Sequence, residues 1–257
     1  MATAKEPPEG VHHYESAEDV PWEISKYWHQ RHNIFSKYDD GIWMTHDAWF
    51  GVTPEPVARY VLMISTTRSN NIPPAHPLPR RIASDIAAAP ASKTILVDAF
   101  AGAGGNTIAF ALSGRWKQIF AIEKDPVVLA CAKHNAEVYG VAKKIFWICG
   151  DAFTEIPKRL KQVGKSAVMF GSPPWGGPTY TDYEVFDLNV MGPYTLPFLH
   201  NSFSAITPDV VLYLPRTSDL RQLAKHAKPG DKLKVTHYCM HGASKALCVY
   251  FGSFAAT

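Results

Sequence analysis

Lys93-Thr-Ile-Leu-Val-Asp98-Ala-Phe-Ala-Gly102-Ala-Gly104-Gly105-Asn106 is the stretch that decides the fold. An unbroken apolar run ends on an acid, turns on glycines and opens into NTIAFALSG, which reads as a helix. A strand that is apolar on both faces needs cover on both, as in a parallel sheet. The alternation continues downstream. QIFAIE reads as a strand and PVVLACAKHNAEVYG as a helix with one apolar face. KIFWICGD, AVMFGSPP and DVVLYLP then read as strands separated by helical stretches. KLKVTHYCM and ALCVYFGSF, joined by HGASK, read as an antiparallel hairpin that closes the sheet. The class is α/β.

Upstream, the chain divides into three further zones. Residues 1–20 are polar and acidic and read as a loose tail. Residues 21–66 carry eight aromatic rings between Trp22 and Phe50 and read as a small helical cap that plugs one face of the sheet. Within it, Thr53 can cap a helix whose first turn holds Pro54 and Glu55. Residues 67–92, with NNIPPAHPLPRR, read as a linker or variable loop around a short helix near Arg81–Ala88. Residues 93–257 form the sheet domain. A mostly parallel sheet finished by an antiparallel pair is the layout of Rossmann-like methyltransferases.

Composition narrows the class. The 257 residues are 46% apolar and 19% charged, enough for a large core and too few charges for global disorder. No apolar run approaches the roughly 18 residues that cross a bilayer, and the first ten residues hold no secretory signal core. Four cysteines (Cys131, Cys149, Cys239, Cys248) lack paired spacing and read as buried thiols, with no metal site expected. One lysine against five acids gives residues 1–20 a balance of −4, so the remainder carries +7 of the overall +3. A modestly basic body suits a phosphate-bearing partner, although many ordinary enzymes share it.

The glycine turn leaves two candidates, a dinucleotide pyrophosphate or the amino-acid end of S-adenosyl-L-methionine (SAM). The spacing is G-x-G-G, not G-x-G-x-x-G, because position 107 is Thr. Asp98 ahead of the glycines would repel a pyrophosphate, but it can accept from an ammonium directly or through water. Glu123, at the end of the second strand, suits two ribose hydroxyls, and Asp151, after the third, suits an adenine amine. Each alone could be a strand-end carboxylate that caps a helix. Three at successive strand ends of one sheet favour SAM.

The fourth strand points to the acceptor. Gly171-Ser172-Pro173-Pro174-Trp175 must leave the sheet, since a Pro-Pro pair cannot continue a central strand. It matches the Asp/Asn/Ser-Pro-Pro-aromatic pattern of enzymes that methylate planar amines. The Ser172 side chain and a carbonyl near Pro173 can accept the amine's N–H bonds and aim its lone pair, while Trp175 stacks the ring. The proton becomes acidic only after methyl transfer, so positioning and electrostatics carry most of the acceleration. An indole also favours a cationic ring by about 2 kcal/mol when desolvated, which suits guanine methylated at N7.

With these motifs together, the chain resembles the trimethylguanosine synthase family of RNA cap guanine-N2 methyltransferases. The resemblance runs through most of residues 24–253, in KYWxQR from Lys26 to Arg31, Phe35-Ser36, DDGI from Asp39, and Trp49-Phe50 with Thr53-Pro-Glu55. It continues in DAFAGAGGNT, HNAEVYG, ICGD, SPPWGGP and Tyr213-Leu-Pro-Arg216. The resemblance implies two methyl transfers from SAM to N2 of 7-methylguanosine caps on small nuclear and nucleolar RNAs. The products would be 2,2,7-trimethylguanosine and S-adenosyl-L-homocysteine, with no metal required. By the same resemblance Trp175 and Tyr180 hold the cap base, and Ser172 and Pro173 face N2. Asp98, Gly102, Gly104, Asn106, Glu123 and Asp151 hold SAM, with Phe35 and Thr53 closing over it. Lys26 and Arg216 meet the triphosphate. Small ribonucleoprotein partners and a place in the nucleus or nucleolus, with the cytoplasm as an alternative, are implied too. The chain departs from the family pattern at Glu123, where Asp is usual, and at Trp43, where a charged residue is common. Residues 67–92 and 157–166 also look longer than usual.

Two other readings share these residues. One is an N2-guanine or N6-adenine methyltransferase acting inside rRNA, tRNA or DNA, disfavoured by the absence of a concentrated Lys/Arg run. The other is a cap-binding module without catalysis, disfavoured by an intact glycine turn with its acids. Deleting residues 1–66 is expected to abolish transfer while leaving a folded remainder.

Overall fold

Each run downstream of Lys93 that reads as a strand forms one. The computed structural model describes residues 6–59, 81–177, 180, 182–227, 232–240 and 243–254. In chain order the elements are β1 (Val11–His12), α1 (Trp22–Trp28), α2 (Arg31–Ile34), β2 (Met44–Thr45), α3 (Ala48–Gly51), α4 (Glu55–Ala58) and α5 (Ile82–Ala87). The sheet domain follows with β3 (Ile95–Asp98), α6 (Gly105–Leu112), β4 (Gln118–Glu123), α7 (Pro126–Val138), β5 (Ile145–Cys149) and α8 (Ala152–Arg159). It ends with β6 (Ala167–Gly171), α9 (Leu196–Ser204), β7 (Val210–Pro215), α10 (Leu220–Ala224), β8 (Lys234–Met240) and β9 (Ala243–Tyr250).

The seven-stranded sheet has the order β5-β4-β3-β6-β7-β9-β8. The first five strands are parallel, and β9 pairs antiparallel with both β7 and β8. The order reverses between β3 and β6, and ligands of open α/β sheets bind at the strand ends beside such a switch point. Along each strand, side chains alternate between two cores. Leu96, Val168, Phe170, Val211 and Tyr213 face the N-terminal segment and α6. Val97, Met169, Val210, Leu212 and Leu214 face α8, α9 and α10.

Helix starts follow local chemistry. The Asp125 carboxylate accepts from the Val127 and Val128 N–H groups while Pro126 fills the first turn of α7. The hairpin differs in detail from the expected loop, because β9 begins at Ala243 and GSF at its far end closes as a 3-10 turn, Gly252–Phe254. Cys131 and Cys248 are buried, but Cys149 and Cys239 are exposed, against expectation. Cys149 ends the edge strand β5, and Cys239 lies on the edge strand β8 beside a register shift.

The N-terminal segment corrects two expectations. Residues 6–20, read as loose, are tied down where β1 pairs antiparallel with β2. Tyr14 there accepts from Trp28 Nε1 and the Tyr38 hydroxyl through its carbonyl. The aromatic cap is also part of the first core. Trp28, Phe35, Tyr38, Trp43 and Trp49 are buried, while Trp22 stays 83% exposed and Phe50 partly so. Burying five such rings is worth on the order of 10 kcal/mol, comparable to the whole stability of a domain. A remainder without this segment would expose that face and is expected to lose stability of that order. The helix expected from Thr53 onward is only α4, with Pro54 as its N-cap and no side-chain cap. Residues 60–66, like 67–80, lie outside the described residues. The short helix near Arg81–Ala88 is α5.

Candidate active site

The glycine turn shapes one wall. Gly104 caps α6 with φ +95°, a left-handed conformation that side chains rarely adopt. A Cβ on Gly105 would meet the Thr53 carbonyl at 3.1 Å and Val52 at 3.3 Å. The close approach at this position is therefore made by the N-terminal segment. Thr53 does not cap α4. Its Oγ1 accepts from Asn106 Nδ2 at 2.9 Å, fixing the segment to the turn.

The three carboxylates converge on the same end of the sheet. Asp98 is fully buried. It accepts from the Thr107 hydroxyl at 2.6 Å and the Phe100 N–H at 3.3 Å, so both of its oxygens already have partners within the chain. Burial pushes its carboxyl up to about 7, with the Glu123 charge adding to the rise and the two hydrogen bonds opposing it. Glu123 accepts from the Gly102 N–H at 2.9 Å and the Asp125 N–H at 2.9 Å. Asp151 does cap a helix, accepting from the Phe153 N–H through Oδ1 at 2.9 Å. Tyr194 lies within the fields of Asp151 and Glu123, with burial and then both charges raising its pKa. It packs on Phe153 and Phe100, at centroid distances of 4.8 and 5.7 Å, to give an aromatic wall that no sequence motif announced.

These residues fit SAM. The buried Asn106 Oδ1, beside the turn, has no hydrogen-bond partner among the described residues, so it can accept from an ammonium. Asp98 adds an acidic partner for that ammonium, and the first N–H groups of α6 suit a carboxylate. Glu123 suits a diol, and the Tyr194 wall suits a flat ring. Phe35 is buried, packed on Tyr139 and set against Gly105 and Ile108. Among the described residues no cluster of three or more His, Cys, Asp or Glu could hold a metal.

On the other side of the switch point, SPPW leaves β6 as the proline pair requires. Gly171 has no room for more, since a Cβ would meet Phe203 at 2.9 Å. Ser172 is half-buried and Pro173 buried. Trp175 is half-buried, donates through Nε1 to the Tyr213 carbonyl at 3.3 Å, and tilts 32° against the Tyr213 ring. Tyr180 stands edge-on to the indole, 4.9 Å between centroids and 85° between planes. Burial raises the Tyr180 pKa, the Arg216 charge lowers it and Tyr27 raises it, so all three groups lie within electrostatic reach. Lys26 Nζ sits 4.8 Å over the Tyr27 ring, and Arg216 donates to the Ser244 carbonyl. Lys26, Trp175, Tyr180 and Arg216 thus come to one side. The Tyr213 hydroxyl lies against Thr53, which joins this side to the glycine turn.

Sequence reasoning named HNAEVYG but not what its residues do. His134 stacks on Trp43 at 3.7 Å and bonds the Gly41 carbonyl at 2.8 Å. Trp43, where the family usually has a charge, therefore serves as a buried docking ring. Asn135, fully buried, accepts from the Trp43 N–H at 2.8 Å and donates to the Trp43 and Ala103 carbonyls at 2.9 and 3.0 Å. Tyr139 donates to Glu55 at 2.6 Å, and Glu55 also accepts from Ser36 and pairs with Arg59. The signal available in sequence was an Asn on an otherwise apolar helix face.

The chain is 35% identical over 233 residues to trimethylguanosine synthase of Schizosaccharomyces pombe, covering 90% of this chain and 87% of that protein. It is 32% identical to trimethylguanosine synthase of Saccharomyces cerevisiae, covering 89% of this chain and 67% of that protein. A Porphyromonas gingivalis W83 structure assigned as a methyltransferase shares the fold, with a TM-score of 0.59 at 15% identity over 92% of this chain and 52% of that one. Residues 93–254 match the family model directly, and with carboxylates at the glycine turn and a proline-bent indole after the neighbouring strand, the chain belongs to the RNA cap guanine-N2 methyltransferases.

Proposed function

We propose that this SAM-dependent enzyme methylates the exocyclic N2 of 7-methylguanosine at the 5′ end of capped RNA, twice, to give 2,2,7-trimethylguanosine. The observation that carries the reading is the seat at the end of β6, where an indole held by the Tyr213 carbonyl follows the strand that neighbours β3 and its glycine turn at the switch point. Trp175 stacks the cationic base, and Tyr180 closes its edge. Ser172 and the Pro173 carbonyl accept the N2 protons and aim the lone pair. SAM, when bound, supplies an electrophilic methyl and is left as S-adenosyl-L-homocysteine. Asp98, Asn106 and the turn around Gly102 and Gly104 orient the amino-acid end, Glu123 the ribose and Asp151 the adenine. Phe35 and Thr53 shut the turn from the N-terminal side. Lys26 and Arg216 pair with the triphosphate. No strong base is needed, because the amine loses its proton after it has become cationic.

The test offers tritiated SAM with 7-methyl-GTP, GTP and an uncapped structured RNA. Transfer to 7-methyl-GTP alone supports the reading. Transfer to the uncapped RNA supports an enzyme of internal nucleotides, and binding of 7-methyl-GTP without transfer supports a cap-binding module. Small nuclear and nucleolar RNAs are the expected substrates, with their ribonucleoprotein proteins as partners and the nucleus or nucleolus as the expected site. Among the described residues no helix is long and apolar enough to cross a membrane. Imaging of a tagged chain checks the location.

A further inference from the structure

Arg216 belongs to two places at once. Its charge acts on Tyr180 beside Trp175, and it also lines a shallow depression of about 410 Å³ shared with Val185, Thr217, Leu220, Arg221 and His237. That volume falls within the roughly 300–1,000 Å³ of small-molecule sites.

We propose that this depression holds the first nucleoside of the RNA body, the one joined to the cap through the triphosphate bridge. The proposal rests on the cap reading above and extends it to a second subsite. Its composition separates a phosphate end from a base end. Arg216 donates to a neutral carbonyl, that of Ser244, which leaves its charge uncompensated for phosphate. Arg221, in contrast, is held by Asp219 through two hydrogen bonds of 2.9 and 2.8 Å. It therefore presents a neutralised guanidinium plane, a surface on which bases stack. Val185 and Leu220 stay 55% and 50% exposed, an apolar pair at the depression that a flat ring would cover. His237 is fixed by a 3.1 Å contact between Nδ1 and the Ser244 hydroxyl. The Thr217 hydroxyl is buried without a hydrogen-bond partner, which leaves a polar group for a base edge or a ribose. The ligand class is a neutral heterocycle on a ribose with phosphate at the Arg216 end.

The experiment compares 7-methyl-GTP with the dinucleotide cap 7-methylguanosine-triphospho-adenosine as acceptors. The intact enzyme should show a KM for the dinucleotide at least about fivefold lower, the lower end of what stacking one base contributes. The double substitution Val185→Ser/Leu220→Ser, and separately His237→Ala, should erase that advantage while leaving kcat/KM for 7-methyl-GTP unchanged. Unchanged 7-methyl-GTP turnover also certifies that each variant is folded. Equal KM values in the intact enzyme, or an advantage that survives both variants, would overturn the subsite while sparing the cap reading. Failure of both acceptors to turn over would overturn the cap reading and the subsite with it.

Discussion

Asp98 makes cofactor affinity a function of pH, and the size of the effect can be worked out. Its carboxyl is buried, accepts from Thr107 and Phe100, and sits at about 7 in the free protein. An ammonium favours the ionised form, so below neutrality binding must first expel a proton. The apparent Kd then scales with one plus the ratio of protonated to ionised Asp98. Between about pH 7.5 and about pH 5.5 that factor rises roughly 25-fold. The upper limit is set because an α-amino group itself begins to lose its proton near pH 8. The sign for stability is opposite. A carboxyl whose folded pKa is raised favours the folded state at low pH, and that preference is lost as pH climbs from the ordinary carboxyl value toward about 7. Asp98→Asn keeps an acceptor for Thr107 but carries no charge. It should bind S-adenosyl-L-homocysteine weakly, with little pH dependence over this range, while melting at a higher temperature than the parent above neutral pH. Titration calorimetry in two buffers of different ionisation enthalpy counts the released proton. A parent protein with flat affinity across this range, or an Asn variant that keeps the slope, would show that Asp98 does not meet the ammonium.

Three further outcomes follow from the same geometry. Trp175→Ala should raise KM for 7-methyl-GTP about 30-fold, from roughly 2 kcal/mol of lost cation stacking, and leave S-adenosyl-L-homocysteine affinity within twofold by calorimetry. Asn135→Asp cannot donate to the Trp43 and Ala103 carbonyls, so it should weaken cofactor binding about tenfold or more while the KM for 7-methyl-GTP at saturating SAM stays near the parent value. Burial pushes the Glu55 carboxyl up, but bonds from Ser36, Tyr139 and Arg59 outweigh it and hold the pKa below the ordinary value. Its stabilisation is therefore present above about pH 4.5 and lost as pH falls further, and Glu55→Gln should lower stability near neutrality by about 2 kcal/mol while flattening the acid limb in urea melts.

What the sequence disclosed was periodic or covalently constrained. Strand β4 is QIFAIE to the residue, because an apolar run that needs cover on both faces leaves little choice. The departure at Pro173 was legible because a proline pair cannot stay in the ladder. What stayed hidden depends on contacts between residues far apart in the chain. Nothing in DAFAGAGGN says that Gly105 faces Thr53, about fifty positions upstream, or that Asn135 reaches back to Trp43. The exposure of Cys149 and Cys239 follows from strand order, which sequence spacing does not encode. Tyr194 was invisible because its loop has no period, and only folding brings it over Asp151 and Glu123.

The seam between Thr53 and Gly105 limits how this enzyme can be rebuilt. A single added methyl at position 105 would press on the Thr53 carbonyl at 3.1 Å and on Val52 at 3.3 Å, and the main-chain contact can yield only if the segment moves by a few tenths of an ångström. Anyone exchanging the first sixty residues for those of a relative must import a matching contour to within a few tenths of an ångström. The two pieces are interchangeable only as a set, however alike their sequences look in isolation.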